Sequence, residues 1–394
     1  MQKQPSLIAF IVIVILAALG FAGSRMWGSD NAVGGYPELD GGVYAEPISQ
    51  GGLKYLVPPD EIYASGLAAN DRPALHDPKH DDIASADSKL ADELEGIAVS
   101  VGNTQRFYPF QILNWHQIVH DNINGEDLII TYSPLTGSAV VYSAKASETT
   151  GELHNFVDAG QVYNNGLLME DGYGTWWNQT TGQAIVGKGV GQKLEIYPSA
   201  VMTWATWKDR HPTGLVLSMD TGVARDYGRH PYASYESSPG IFFPLNHVFN
   251  QLEPKDLVYR FETSEQPLVF MLRYLPMQKD PNAVVPHSQG ELSIVALYDE
   301  DLDTVRIFDR NVSGRVLRFN YVGGTITDEE TGSRWSPEGV ALSGEFRGTS
   351  LAELPLTRHY AFAHFAMYPA SLISGQELLP LDDIEPEGQT LEIQ

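Results

Sequence analysis

The stretch "GQAIVGKGVGQKLEIYP" (residues 182–198) holds four glycines and a lysine within its first eleven positions, a composition that first suggests a phosphate-cradling loop. A second stretch, "GVALSGEFRGTSLAELP" (339–355), decides otherwise. Aligned without a gap, the two share Gly182/Gly339, Ala184/Ala341, Gly187/Gly344, Gly191/Gly348, Leu194/Leu351 and Pro198/Pro355, every pair 157 residues apart. Lys188 is matched by Glu345, so the basic group is not repeated while glycine, alanine, leucine and proline are. Those residue types serve tight turns and close strand packing. No convincing helix is expected behind either copy, and a phosphate loop ordinarily needs one.

The repeat extends in both directions. "GTWW" (174–177) answers "GSRW" (332–335) with a one-residue slip, "RFYP" (106–109) answers "RYLP" (273–276), and "GEDLIITY" (125–132) answers "GELSIVAL" (290–297). Downstream, "WATWKDRHP" (204–212) and "YAFAHFAMYP" (360–369) each end fourteen residues after the shared proline. A repeat of this length points to two tandem homologous β-lobes packed about a pseudo-twofold axis. Short runs rich in Val, Ile, Tyr and Phe support a β-rich chain: 127–132, 138–144, 214–219, 257–263, 268–275, 292–298 and 304–309. Helical pattern is limited to "PFQILNWHQIVHDN" (109–122) and 84–94. The expected fold is mainly β, a β-rich α+β with few short helices. The expected organisation is a signal-anchor or transmembrane segment at 1–27, a glycine-rich flexible tether at 28–56, a first lobe at 57–212, a connecting segment at 213–251, a second lobe at 252–369 and an acidic tail at 370–394.

The chain has 394 residues with 50 acidic against 25 basic side chains, a formal net charge of −25. Such a surface repels nucleic acid, which is excluded as a partner. There is no cysteine, which removes disulfides, thiolate metal sites and cysteine nucleophiles. Lys3 precedes seventeen consecutive apolar or small residues, Leu7–Gly23. A positive start followed by such a run is an export signal at the lower length limit of a bilayer span. The expected location is the cytoplasmic membrane, through one N-terminal span, with the body in the periplasm or outside, or secreted if the signal is cleaved.

Four long stretches carry a resemblance: "DEIYASGLAANDRPALHDPKH" (60–80), "YPFQILNWHQIVHDNINGEDLIITYSPLTGSAVVY" (108–142), "NNGLLMEDGYGTWWNQTTGQAIVGKGVGQKLEIYP" (164–198) and "TWATWKDRHPTGLVLSMDTGVARDYGRHPYASY" (203–235). The chain resembles the bacterial and archaeal domain-of-unknown-function family 3179 over roughly residues 57–370. The resemblance implies no activity. It does imply a departure: where the family shows Cys-Pro-Leu-Cys, this chain has Ser133-Pro134-Leu135-Thr136, which can neither ligate soft metals nor cycle as a disulfide. Asn114-Trp115-His116, Trp177, Gln179 and His211-Pro212 match the family pattern.

Several constellations could carry chemistry. His116 and His120 stand at i and i+4 on the expected helix, the spacing that puts two imidazoles on one face; with His154, His211 or His230 they could hold a divalent metal. Against this, no H-E-x-x-H occurs, and the family pattern has asparagine where His120 stands. Ser133 could act as a nucleophile with His116 as base and Asp121 as orienting acid, although no nucleophile elbow surrounds it. Glu170-Asp171 and Asp328-Glu329-Glu330 are the acid pairs that glycosidic chemistry would need, and they read as turn residues. The aromatics Trp115, Trp176, Trp177, Trp204, Trp207, Tyr227, Tyr232 and Tyr235 suggest core packing or a ligand cleft, with Arg210, Arg225 and Arg229 on its rim. The leading expectation is a non-enzymatic ligand-binding or envelope scaffolding module with no cofactor. Its cleft in the first lobe would involve Trp115, His116, Ser133, Thr136, Trp177, Gln179, Trp204, His211 and Tyr232, and its ligand would be a small molecule, glycan or peptide. The rival is a metal-handling or hydrolytic protein centred on His116 and the Ser133–Thr136 turn.

Overall fold

A computed structural model describes residues 39–40, 43–44, 47–67, 71–144, 155–263, 267–271, 281–287, 290–299 and 304–374. The chain is mainly β with few short helices. It divides into two compact units, residues 1–256 with 358–369, and residues 257–357 with 370–394.

In the first unit the strands Ile118–Ile123, Glu126–Ser133 and Ser138–Ser143 form an antiparallel meander. Leu75–His76 joins its outer strand in parallel, and Ile196–Tyr197 and Arg358 pair with its last strand. A second sheet runs in the order Ile48–Gln50, Leu53–Tyr55, Ala184–Val186, Trp176–Asn178, Gly166–Glu170, Val157–Tyr163, Ile62–Ala64. A third runs Ala200–Thr203, Glu95–Val101, Thr104–Pro109, Leu215–Leu217, His80–Asp82. Alternate residues of the meander serve two cores: Val119, Leu128, Ile130 and Val141 pack with Ile97 and Tyr108, while Ile118, Ile129, Val140 and Tyr142 pack with Phe156 and Trp177. Period-2 alternation with both faces buried explains why these strands read as nearly continuous apolar runs.

In the second unit Asn282–His287, Gly290–Asp299, Thr304–Asp309 and Ala352–Leu354 form one sheet. Phe319–Val322, Thr325–Asp328, Arg334–Trp335 and Ala341–Ser343 form another.

The opening stretch is built alike in both copies. Leu194 N–H donates to Gly182 O at 2.9 Å and Leu351 N–H to Gly339 O at 2.8 Å. Gly191 N–H donates to Ala184 O, and Gly348 N–H to Ala341 O. The bridges Gln183↔Lys193 and Val340↔Ser350 match, and each copy bulges at its tryptophan strand. Two glycine positions show why glycine recurs. At Gly182 (φ +70°) a Cβ would lie 2.7 Å from the Tyr142 ring, and at Gly339 (φ +76°) 2.8 Å from that of Phe308. At Gly187 and Gly344 it would lie 2.1 Å from Gly174 O and 2.4 Å from Ser333 Oγ. Positive φ and contact at this range admit no side chain. The acids that precede each copy clasp its tryptophan: Asp171 Oδ2 accepts from Trp177 Nε1 at 3.0 Å and Asp328 Oδ2 from Trp335 Nε1 at 2.9 Å. They are turn acids, as their sequence setting suggests.

Three expectations are corrected. The helix expected over 109–122 exists only as Phe110–Leu113, and Ile118–Ile123 is a strand. Asn124 (φ +53°) and Gly125 (φ +88°) form the tight turn that folds this strand onto Glu126–Ser133, which an Asn-Gly pair between two strand-forming runs favours over helix. The helix expected over 84–94 shortens to Ile83–Asp87, capped by Asp82 accepting from Ser85 N–H. A helix does follow each copy of the opening stretch, Trp204–Arg210 and Ala361–Met367. The expected span at 7–23 lies outside the described residues, as do "RYLP" (273–276) and the tail from 375 onward. Among the described residues no helix is long and apolar enough to cross a membrane.

Candidate functional site

His116 follows the short helix Phe110–Leu113 and is wholly buried. Its Nδ1 lies 2.8 Å from Pro73 O and its Nε2 2.7 Å from Tyr227 Oη. A carbonyl only accepts, so Nδ1 carries the proton and Nε2 accepts from the Tyr227 hydroxyl. Tyr227 Oη in turn lies 2.6 Å from Thr221 Oγ1, which can donate to it. Burial, with a smaller push from Arg225, lowers the His116 pKa although the Pro73 hydrogen bond opposes it, so the ring is neutral at physiological pH. Both nitrogens are engaged. His120 is not its helical neighbour but a strand residue, stacked on His76 with centroids 4.6 Å apart and bonded through Nε2 to Phe156 O. Asp121 does not orient His116; it meets His80 Nε2 at 3.0 Å and the Tyr108 hydroxyl at 2.6 Å. Burial acting alone would raise the Asp121 pKa, and hydrogen bonds from His80 and Tyr108 more than offset it. Among the described residues no three His, Asp or Glu side chains converge as a metal site; His154 lies outside them.

The Ser133–Thr136 turn is sealed, with Ser133 2% and Thr136 0% exposed. Thr136 N–H and Oγ1 both donate to Ser133 O, and Tyr360 N–H donates to Thr136 O. Tyr235 Oη donates to Leu135 O at 2.6 Å. The serine that meets a histidine is Ser138, whose Oγ lies 2.7 Å from His359 Nδ1, and both residues are 0% exposed. Gln179 braces this region: its Nε2 donates to Thr131 Oγ1 at 2.8 Å and to Ser138 O at 3.2 Å. A neighbouring cavity of about 20 Å3, lined by Tyr163, Asn178, Thr181 and Met367 among others, has room for about one water.

The aromatics divide between core and surface. Trp204 and Trp207 stack with centroids 5.7 Å apart against Phe107, all three fully buried. Trp177 meets Phe156 edge-on in a different core. These tryptophans are therefore packing residues, and the cleft expected to include Trp204 and Trp177 is not assembled. His211 caps the end of Trp204–Arg210 and packs on Trp207 at 5.5 Å. The groups left at the surface gather around residues 221–236. Arg225 sits 5.8 Å above the half-buried Trp115 ring and donates to Asp71 O at 2.7 Å. Tyr232 Oη accepts from Arg72 Nη1 at 3.3 Å and from Gln117 Nε2 at 3.2 Å. Behind it Arg72 forms a buried ion pair with Asp158 at 2.6 Å. His230 Nδ1 accepts from Tyr232 N–H, which leaves Nε2–H for Glu236 at 3.0 Å. Trp115 Nε1 is buried and donates to no group among the described residues.

The geometry thus joins Trp115, His116 and Tyr232 in one neighbourhood, with Arg225 beside them and Arg229 exposed nearby. It groups Ser133, Thr136 and Gln179 in a second, sealed one. Comparison with known proteins fits this pattern of long local motifs: the family described as "Protein of unknown function (DUF3179)" matches residues 70–371. The chain belongs to the DUF3179 family. No curated protein and no solved structure matches the chain. In DUF3179 terms, the turn where relatives are expected to carry cysteines is interior here, packed under Tyr235 and Tyr360.

Sequence reasoning missed Ser138–His359, Arg72–Asp158 and the His80–Asp121–Tyr108 group. The partners of the first two pairs lie 221 and 86 residues apart, and no local spacing announces them. Tyr227 stands out in the sequence as an aromatic, but its pairing with His116, 111 residues away, has no sequence signal. The Asn124-Gly125 turn was the one readable signal: it would have put His120 on a strand and separated it from His116.

Proposed function

We propose that this DUF3179 protein is a non-enzymatic ligand-binding module of the cell envelope, held by its N-terminal apolar segment at the cytoplasmic membrane with the β-rich body outside. The observation that carries the reading is a division of side chains. Every serine–histidine or histidine–acid grouping considered for catalysis is buried or has its nitrogens in use, whereas Trp115, Arg225 and Tyr232 reach the surface over a buried Arg72–Asp158 pair. An aromatic ring flanked by a guanidinium and a phenol suits a sugar or peptide presenting one apolar face and hydrogen-bonding groups. The support for export is the Lys3–Gly23 pattern.

The test is a panel of oligosaccharides and short peptides titrated against the full chain in detergent, read by tryptophan fluorescence. Trp115→Phe and Arg225→Ala should each weaken a bound ligand at least tenfold, with binding measured well below the melting temperature of each variant because Trp115 also packs on the core. Turnover of an ester, amide or glycoside that disappears in Ser138→Ala or His359→Gln would refute the non-enzymatic reading.

A further inference from the structure

The two copies of the opening stretch differ at one edge. In the first unit the strand Ala184–Val186 is flanked by Leu53–Tyr55, with Val186 opposite Tyr55. Leu56 N–H donates to Ile185 O at 2.8 Å and Gly187 N–H to Lys54 O at 2.9 Å. Ile185 is 1% exposed, packed with Leu56, Val57 and Met367. The matching strand in the second unit, Ala341–Ser343, is an edge among the described residues. Leu342, the counterpart of Ile185, is 55% exposed, and Ser343, Gly344 and Glu345 are exposed with it. The Leu342 carbonyl and the Gly344 N–H are the counterparts of the groups that hold the added strand in the first unit, and among the described residues no further strand pairs with this edge. The opposite edge follows suit: Val157–Tyr163 is covered by Ile62–Ala64, while Phe319–Val322 is an edge among the described residues, with Val322 76% exposed.

An apolar side chain at the centre of an open edge is a template for strand addition, and soluble proteins usually blunt such edges with charge or proline. We infer that the Ala341–Ser343 edge receives an extended segment of a partner protein, added antiparallel, with apolar residues over Leu342 and at least one basic residue. The first unit shows what fits, since its own occupant reads Leu53-Lys54-Tyr55-Leu56. Charge selects the partner. Residues 257–357 carry fifteen acidic against nine basic side chains, and Arg306, Arg315 and Arg318 are already held by Glu353, Glu345 and Glu329. A second copy, itself at −25, is repelled, whereas a basic strand is drawn in.

The probe is an acetylated, fluorescein-labelled peptide with the sequence of residues 48–57, titrated by anisotropy into the full chain in detergent. Binding should weaken at least tenfold for Leu342→Asp, and at least threefold on substituting glutamate for lysine in the peptide or on raising salt from 0.05 to 0.5 M, taken as roughly a threefold change in Debye length. Val284→Asp, at another exposed apolar position (51%), should leave binding unchanged, which controls for added charge. Because Leu342 is exposed, Leu342→Asp should keep the native melting temperature, and on binding the Gly344 amide should gain protection from hydrogen exchange. Absence of binding, equal binding to Leu342→Asp, or a dimer of the full chain that dissociates in Leu342→Asp would each overturn the inference.

Discussion

Removing the Asp171 carboxylate should unfold much of what the repeated stretch holds. Asp171 is 3% exposed; Oδ2 accepts from Trp177 Nε1 at 3.0 Å, and Oδ1 accepts from Tyr173 N–H at 2.8 Å and Thr175 N–H at 3.2 Å. Trp177 and Thr175 are buried as well, so Asp171→Ala strands at least two donors away from water. A buried unsatisfied donor costs about 1–3 kcal/mol, and hydrogen bonds to a charged group sit at the upper end of that range. The expected loss is about 3–5 kcal/mol, a large part of the roughly 5–15 kcal/mol that stabilises a typical domain. Asp171→Asn, which keeps one acceptor oxygen, should cost about 1–2 kcal/mol. Asp328→Ala should act similarly on the second unit, where Asp328 accepts from Trp335 Nε1 and Thr331 N–H. Lys188→Ala, at an exposed position, should change stability by less than about 0.5 kcal/mol. The assay is urea unfolding of the full chain followed by tryptophan fluorescence and far-ultraviolet circular dichroism. A loss under about 1 kcal/mol for Asp171→Ala would refute the claim that this stretch is load-carrying scaffold.

Further outcomes follow from single contacts. Gly187→Ala should abolish folding or cost more than about 3 kcal/mol, because its Cβ would overlap Gly174 O at 2.1 Å; soluble expression and melting temperature check it. Tyr227→Phe removes the hydroxyl donor to His116 Nε2 and should cost about 1–2 kcal/mol while leaving the His116 ring as the Nδ1–H tautomer, read by nitrogen-15 chemical shifts. Burial, with a contribution from His76, lowers His120 to about 4 from 6.5, against the Phe156 carbonyl bond. The unfolded chain then binds more protons between those values, so stability is full above pH 6.5 and falls as pH drops toward 4, by about 2–3 kcal/mol. His120→Gln should flatten that slope in urea midpoints measured from pH 7 to pH 4.

The β class and the likeness of the two glycine-rich stretches were legible because two segments with the same backbone geometry carry the same residues that this geometry demands. Gly182 and Gly339, or Gly187 and Gly344, recur since no side chain fits there. What failed was local periodicity where turn chemistry overrode it. Residues 109–122 satisfy a helical pattern up to Leu113, but the Asn124-Gly125 turn claims Ile118–Ile123 for a strand. The candidate site was partly legible: Trp115, His116 and Tyr232 do come together. For Trp204 and Trp177 the sequence leaves both core packing and a cleft open, because position along the chain does not reveal that the helix start at Trp204 and the strand at Trp177 both face core. Contacts such as Ser138–His359 depend on chain crossings that no spacing encodes. The open edge at Leu342 is visible only once its covered counterpart Ile185 is seen.

The central claim is that chemistry-bearing side chains are interior while the Trp115 rim is open. Residue-resolved covalent labelling of the folded full chain tests it most directly. Diethyl pyrocarbonate should modify the exposed His230 and His287 and spare His116, His359 and His364, each 0% exposed. Hydroxyl radicals should oxidise Trp115 well before Trp177, Trp204 and Trp207. Labelling of His116 or His359 as fast as His230 under conditions where the chain stays folded would contradict the account.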